Sequence, residues 1–365
     1  MNILMVLSQR ELTGAEVYAT ELVRFFPWDY KVIFVSDTLT RRNNHIKFYQ
    51  LPIDRRNKSY LGRFLNILRL KEIIQKEGID IIHTHSRASA YVSFFVNKLF
   101  YKSRIPIVST VHGMLPVHFS SILLPCLGKV IIATSEMIKD HLIRDFRISQ
   151  ENIRLVRYGV DTKKFNPINL PKKNNHDFLF TFIGRLSGPK AVSVKAVIEA
   201  MQEILNQKER IRLRIVGGGE SLGKLKELAR RIIPDRQKVI FTEFKDDIKE
   251  ELANANVVIG AGQVVLEAGA CAKPVVVIGE RRFIGLLSDS NFKFAMQTNF
   301  GDHYYTKPKG FDIQEIRNCF KYILKIRNNL SEYGKFAKEL IDREYCLEKI
   351  TSQIISIYKE CITNR

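Results

Sequence analysis

Phe178-Leu179-Phe180-Thr181-Phe182-Ile183-Gly184-Arg185-Leu186-Ser187-Gly188-Pro189-Lys190 is the stretch that decides the fold. A short apolar run, Phe178–Ile183, reads as a buried strand, and the residues after it open a helix. The same rhythm continues downstream, with strands predicted at Leu213–Val216, Val239–Thr242, Val257–Ile259 and Val275–Ile278 and helices between them. Upstream it is already present. Ile3–Leu7, Val32–Val35, Ile79–Thr84, Ile107–Val111 and Val130–Thr134 read as strands. Ala15–Phe26, Leu61–Gln75, Ala88–Leu99 and Met137–Asp145 carry apolar residues at helical spacing between them. Alternating strands and helices imply parallel sheets covered on both faces. The rhythm is interrupted once, at Asn166–Asn175, which is rich in Pro, Asn and Lys and reads as a linker. The expectation is therefore an α/β protein of two doubly wound Rossmann-like domains, residues 1–168 and 169–346, with a last helix from about Leu347 to Cys361. Two such domains leave an interdomain cleft, and ligands in open α/β sheets bind beyond the carboxyl ends of the strands.

Composition agrees with this reading. A chain of 365 residues suits two domains, and 45% hydrophobic with 26% charged residues excludes a disordered tail, a collagen or a coiled coil. The formal charge of +20 favours anionic partners such as phosphorylated substrates or anionic lipid headgroups. No recognised nucleic-acid module appears and the aromatics are not arrayed as stacking platforms, so nucleic acid is not expected as a partner. Five cysteines without a C-x-x-C pair read as thiols of a reducing compartment. Met1–Leu7 is too short for a signal peptide, and Pro125, Gly128 and Lys129 break the next apolar candidate. The prediction is a cytoplasmic protein, with peripheral attachment to the inner face of the plasma membrane as its membrane option.

Several familiar chemistries are missing. Thr13-Gly14-Ala15-Glu16 after the first strand holds one glycine, and Gly217-Gly218-Gly219-Glu220 is followed by Leu222 where a third glycine of a dinucleotide fingerprint belongs. No metal is expected, because no D-x-D pair and no His/Cys/Asp ligand spacing occurs. The positive signals lie at strand ends. Arg185 and Lys190 form a cation pair beside helix N-terminal amides, which suits a diphosphate. Gly260-Ala261-Gly262-Gln263-Val264-Val265-Leu266-Glu267 offers two small residues ahead of a helix whose first-turn amides could approach a phosphate. Glu267 is a lone carboxylate on an otherwise apolar stretch, and ribose hydroxyls would suit it. His83, His85 and Ser86 close one strand of the first half, and His112-Gly113 closes the next.

Together these positions resemble the retaining, nucleotide-sugar-dependent glycosyltransferases of the GT-B fold, family 4 type, also described as glycosyl transferases group 1. Gly14-Ala15-Glu16 resembles the family's first-loop G-G-A-E, and Asp80-Ile81-Ile82-His83-Thr84-His85-Ser86 resembles its D-I-V-H-x-H-S. Thr134-Ser135-Glu136 and Arg157-Tyr158-Gly159-Val160-Asp161 resemble the end of its first domain. Glu267-Ala268 through Lys273-Pro274-Val275-Val276 resembles E-A-x-A-C-G-x-P-V-V. The match runs over nearly the whole chain in the family's order. It implies that Arg185 and Lys190 hold the donor diphosphate, that Glu267 holds the ribose, and that Gly14 lets the first loop approach the phosphates. Gly262, Gln263 and Val264 would lie against the donor, His112 against the transferred sugar, and His83, His85 and Ser86 toward the acceptor side. The final helix would cross back onto the first domain. No cofactor is implied beyond the nucleotide-diphosphate sugar itself, with UDP or GDP as the expected nucleotide.

The sequence also departs from the family. Ile259 stands where the E-x7-E pattern has its first acidic residue, which contacts donor-sugar hydroxyls; Ala191 and Ala272 replace common glycines, and Tyr158 replaces the usual Asn. Bacterial members with a similar G-A-G-x-x-x-L-E-A version point to a subfamily. The expected function is transfer of a sugar to a glycan or lipid-linked acceptor in envelope polysaccharide or lipopolysaccharide synthesis. The alternatives are a GT-B binding module without chemistry and a sugar-nucleotide 2-epimerase, which shares the fold. Base recognition is expected near Glu243-Phe244. Two basic, aromatic clusters, Arg55-Arg56-Asn57-Lys58 with Tyr60 and Arg63, and Lys98–Lys102 with Arg104, suit a membrane interface.

Overall fold

The computed structural model describes residues 1–8, 14–40, 46–53, 59–118, 122, 125–167, 177–245, 247–304 and 310–363. The chain divides into two compact units, one formed by Met1–Gly159 with Leu347–Arg365 and the other by Val160–Cys346. The first holds a seven-stranded sheet in the order β3-β2-β1-β4-β5-β6-β7. Its strands are β1 (Asn2–Val6), β2 (Lys31–Ser36), β3 (Lys47–Gln50), β4 (Ile81–Thr84), β5 (Ile107–Val111), β6 (Val130–Ala133) and β7 (Ile153–Leu155). All neighbours in it are parallel. Helices α1 (Gly14–Val23), α2 (Tyr60–Glu77), α3 (Arg87–Phe100) and α4 (Glu136–Arg144) connect the strands. Strand alternation divides β1 between two cores: Ile3 and Met5 enter one, Leu4 and Val6 the other.

The second unit repeats the plan with six strands ordered β10-β9-β8-β11-β12-β13. These are β8 (Phe178–Ile183), β9 (Ile211–Val216), β10 (Val239–Thr242), β11 (Val257–Gly260), β12 (Val275–Ile278) and β13 (Phe283–Leu286). Only β13 runs antiparallel, against β12. The helices are α5 (Gly188–Gln207), α6 (Leu222–Ile232), α7 (Lys249–Asn254), α8 (Gln263–Ala270), α9 (Phe292–Gln297), α10 (Ile313–Lys325) and α11 (Leu330–Glu344).

The final helix, α12 (Leu347–Thr363), returns to the first unit. Its Leu347, Ile350, Ile354, Ile357 and Tyr358 are buried in the core that holds Ile3 and Met5. Each such side chain contributes roughly 1.5–3 kcal/mol on burial. Gly159 permits the return, because a Cβ there would lie 2.8 Å from the Cα of Leu347.

The chain changes units at Gly159/Val160, upstream of the Pro- and Asn-rich stretch that marks a linker in the sequence. Residues 168–176 of that stretch lie outside the described residues. The sequence does not reveal three edge strands, β3, β7 and β13; β3 has no fully buried residue, and neither has β10, the edge strand that its apolar Val239–Phe241 marks in the sequence.

Candidate functional site

In the second unit the strand order reverses between β8 and β11, which are hydrogen-bonded neighbours. Such a switch point opens a crevice at the carboxyl ends, where doubly wound sheets bind ligands. Helix α5 follows β8, and α8 follows β11. Neither helix has a side-chain cap: Ser187 caps α5 without a side-chain hydrogen bond, and Gly262 caps α8 with none to offer. Two helix N-termini without a side-chain cap thus stand at adjacent strand ends, the usual setting for a phosphate.

Arg185 is held there by its neighbours rather than by its own side chain. The loops after β8 and β9 are zipped together: the Gly184 amide donates to Val216, the Leu186 amide to Gly218 and the Ser221 amide to Leu186, at 2.9–3.1 Å. The glycine run explains why they fit. A Cβ at Gly217 would lie 1.9 Å from the Gly184 carbonyl oxygen, and one at Gly219 would lie 2.6 Å from that of Leu186. Gly217-Gly218-Gly219 is therefore a support for the Arg185 loop, a use that a search for nucleotide fingerprints misses. Arg185 itself is exposed and makes no hydrogen bond or ion pair with any described residue.

Lys190 lies three residues into the sequence of α5, partly buried, with its Nζ 3.2 Å from Oδ1 of Asp302. With Val264, Ala261, Gly184 and Gly279 it lines a small cavity of about 30 Å³ at the ends of β8, β11 and β12. Asp302 reaches this place from a tight turn. Asn299, Phe300 and Gly301 have consecutive φ values of 48°, 50° and 86°, all left-handed. Phe300 is fully buried, and the Gly262 amide donates to its carbonyl oxygen. Left-handed backbone costs a non-glycine residue about 1–2 kcal/mol, so packing must impose this turn. Gly279 and Gly301 do so, for a Cβ on Gly279 would lie 1.7 Å from the Gly301 carbonyl oxygen. Gly262 also has a left-handed φ of 55°, and a Cβ there would meet Oδ2 of Asp302 at 2.1 Å. The Asp302 carboxylate is thus seated against the first residue of the α8 entry.

Glu267 lies one turn into α8, half-buried, with the Gln263 side-chain amide donating to its carboxylate at 3.4 Å. Ile259 is another matter. It pairs with Phe182 and Val276 inside the sheet and is fully buried in the core of the unit. Counting back from Glu267 thus lands in a strand interior, where a donor-facing carboxylate has no place. Phe244 follows the end of β10, is 62% exposed, and its Cβ would be 3.6 Å from one placed on Gly218.

The first unit has its own cluster at the carboxyl ends of β4 and β5. His112 is half-buried; one ring nitrogen, Nδ1, is 2.9 Å from the Tyr158 hydroxyl, and the other faces Nδ1 of His85 at 3.1 Å. Tyr18 stands edge-on to His85, His112 and Tyr158. His83 is fully buried, with Nδ1 2.5 Å from the Tyr358 hydroxyl and Nε2 2.7 Å from that of Thr110. Burial, reinforced by His112, pushes its pKa down to about 3. Burial, with His83 and His112 behind it, also holds His85 well below the usual imidazole range. Both rings therefore stay neutral. As placed, His83 presents no surface to an acceptor, and its partners give it a packing role. His85 contacts His112 and Met5 and backs His112 from behind. Ser86 is the N-cap of α3, in a capping box with Ser89. Gly14 begins α1, while the residues before it, 9–13, lie outside the described residues. Glu16, from the same motif, is fully buried and accepts the Thr40 amide at 2.6 Å, so it holds the loop after β2.

Known proteins resemble this chain in sequence and fold. Residues 12–164 match Glycosyltransferase Family 4, and residues 177–285 match Glycosyl transferases group 1. N-acetyl-alpha-D-glucosaminyl L-malate synthase of Bacillus anthracis is 24% identical over 381 residues, covering 96% of this chain and 94% of its own. UDP-Gal:alpha-D-GlcNAc-diphosphoundecaprenol alpha-1,3-galactosyltransferase of Escherichia coli is 24% identical and covers 64% of this chain and 67% of its own. The crystal structure of Anabaena HepE in complex with UDP superposes with a TM-score of 0.75 at 16% identity, over 99% of this chain and 100% of its own. With both family matches in chain order on two Rossmann-like units, the chain belongs to the GT-B glycosyltransferases.

Proposed function

We propose that this glycosyltransferase moves a hexosyl group from a UDP- or GDP-sugar to a glycan or lipid-linked acceptor, with retention at the anomeric carbon. The observation that carries the proposal is the pair of uncapped helix N-termini at the β8/β11 switch point, flanked by Arg185 and Lys190. The diphosphate would lie over these amides. Arg185, Lys190 and the two dipoles would take up the charge that grows as the nucleotide departs, which is where binding energy speeds a transfer. The acceptor hydroxyl would attack on the face that the diphosphate leaves, and its proton would pass to the leaving phosphate oxygen. Glu267 is suited to ribose hydroxyls and Phe244 to a base. His112 would meet the transferred sugar, with Tyr158 and His85 fixing its ring. The E. coli and Anabaena relatives, named for UDP-Gal and complexed with UDP, support the nucleotide, and the former also supports a lipid-linked acceptor.

A thermal-shift panel with UDP, GDP, ADP and CMP tests the donor reading. A nucleotide at about 100 times its dissociation constant adds roughly 2.7 kcal/mol to the folded state. Lys190→Ala should weaken the response without removing it and lower turnover by about 10²–10³. No response to any nucleotide at millimolar concentration would overturn the proposal, and donor that is isomerised but uncleaved would point to an epimerase.

A membrane surface is the accompanying reading. Leu61, Phe64 and Leu65 on α2 and Tyr91, Leu99 and Phe100 on α3 are exposed large hydrophobics on two adjacent helices. Lys71 lies over the Phe100 ring and Lys98 over that of Phe94. Apolar groups rimmed by cations suit an anionic bilayer surface. Residues 54–58 of the first basic cluster lie outside the described residues. Among the described residues no helix is long and apolar enough to cross a membrane. Co-sedimentation with phosphatidylglycerol vesicles at low salt should capture the protein, and Phe64→Ser with Leu65→Ser should release it.

A further inference from the structure

Asp302 is unexplained by a donor site built from cations and amides. Its carboxylate lies where an anion is wanted, 3.2 Å from the Lys190 ammonium, with Oδ2 pressed on the Gly262 backbone at the entry of α8. Nothing incidental brings it there. Two left-handed non-glycine residues, a left-handed glycine and the Gly279–Gly301 backbone contact are all needed to turn the chain toward Lys190. Yet the carboxylate is poorly rewarded: among the described residues, buried Oδ1 forms no hydrogen bond of good geometry, only the ion pair. A diphosphate bound at Lys190 would compete with the carboxylate for that place, since two anions beside one ammonium repel each other.

We infer that Asp302 is a further residue of the donor site, an internal anion that holds Lys190 in place and that the donor diphosphate must displace. The inference rests on the proposed diphosphate site at Lys190. Asp302 then sets donor affinity from below: it weakens the nucleotide by competing for Lys190, and it favours release of the nucleoside diphosphate after transfer by taking the ammonium back. It also keeps the lysine oriented toward the α8 entry instead of leaving it free in solvent.

The test is a double-mutant cycle on the full chain. UDP, GDP and ADP are titrated calorimetrically into the wild type, Asp302→Asn, Lys190→Ala and the double variant. For the nucleotide that the wild type binds, Asp302→Asn should bind about threefold to fivefold tighter, the range of a partly exposed ion pair. The gain should vanish in the Lys190→Ala background. Weaker or equal binding by Asp302→Asn would overturn the inference, because the carboxylate would then help the donor or ignore it. An equal gain with and without Lys190 would overturn it too, as a mere long-range charge effect. Binding by the wild type in these cases leaves the diphosphate site itself standing. Failure of wild type and Asp302→Asn alike to bind any nucleotide would instead remove that site, and the inference with it. Asp302→Ser serves as a second variant should the asparagine disturb the turn, which the melting temperature reports.

Discussion

Acidification should destabilise the first unit through His83, and the size of the effect can be worked from its burial. In the unfolded chain the imidazole has a pKa near 6.5. In the folded unit, burial and His112 lower it to about 3. Between these values the unfolded chain holds a proton that the folded one refuses. Stability therefore climbs with pH across this window, is fully present above pH 6.5, and is lost as pH falls toward 3. The slope is about 1.4 kcal/mol per pH unit for one histidine, so going from pH 7 to 5 costs about 2 kcal/mol. For a unit of this size that lowers the melting temperature by about 4–8 °C. Glutamine at this position keeps a donor and an acceptor for Thr110 and Tyr358 but takes up no proton. Differential scanning calorimetry of the wild type and His83→Gln at pH 7 and 5 isolates the contribution, since burial, the main cause that holds His85 neutral, is kept in both. The wild-type transition should fall further than that of the variant, by the 4–8 °C stated. Equal falls in the two proteins would refute the claim that His83 is held neutral.

Tyr358→Phe removes the hydroxyl beside Nδ1 of His83 and strands a buried polar atom, so the first unit should lose about 1–3 kcal/mol in urea unfolding while the second keeps its midpoint. Gly334→Ala in α11 would place a Cβ 2.1 Å from the Ala272 carbonyl oxygen, and the second unit should lose about 1–3 kcal/mol in the same assay. Phe244→Ala should weaken nucleotide binding about tenfold by calorimetric titration, with the melting temperature of the free protein unmoved, because the ring is exposed.

The sheets were legible wherever a strand is buried on both faces. Ile3–Leu7 is a continuous apolar run and Phe178–Ile183 is one broken only by Thr181, and both form central strands at their sheets' switch points. Three of the four edge strands, β3, β7 and β13, were not legible: Lys47–Gln50, for example, has one side open to solvent and needs no apolar run. The cations of the candidate site were readable because Arg185 and Lys190 lie close to a strand end in sequence. Asp302 was not, since it arrives from more than a hundred residues away through a backbone turn that letters do not encode. The histidines show the opposite failure. His83 and His85 alternate along one strand end and look alike in sequence, yet β4 directs both into the core, and it is the neighbouring His112 that keeps some exposure. Ala272 illustrates a third case: the glycine usual at that position is replaced, but the left-handed conformation survives, with φ at 54°.

The return of α12 has a consequence for the order in which the protein can be made. A ribosome delivers all of the second unit before it delivers Leu347–Thr363, which complete the hydrophobic core around Ile3 and Met5. The unit made first is therefore completed only after the second, and until Leu347–Thr363 emerges β1 lacks its cover on one face. Val160 closes this circuit by donating its amide to Tyr345 at 2.8 Å, next to the bridge between Val160 and Cys346, so the outgoing and incoming segments lie side by side. A stop codon just after residue 346 would spare every strand of both sheets and still leave the first-made half of the molecule unable to mature.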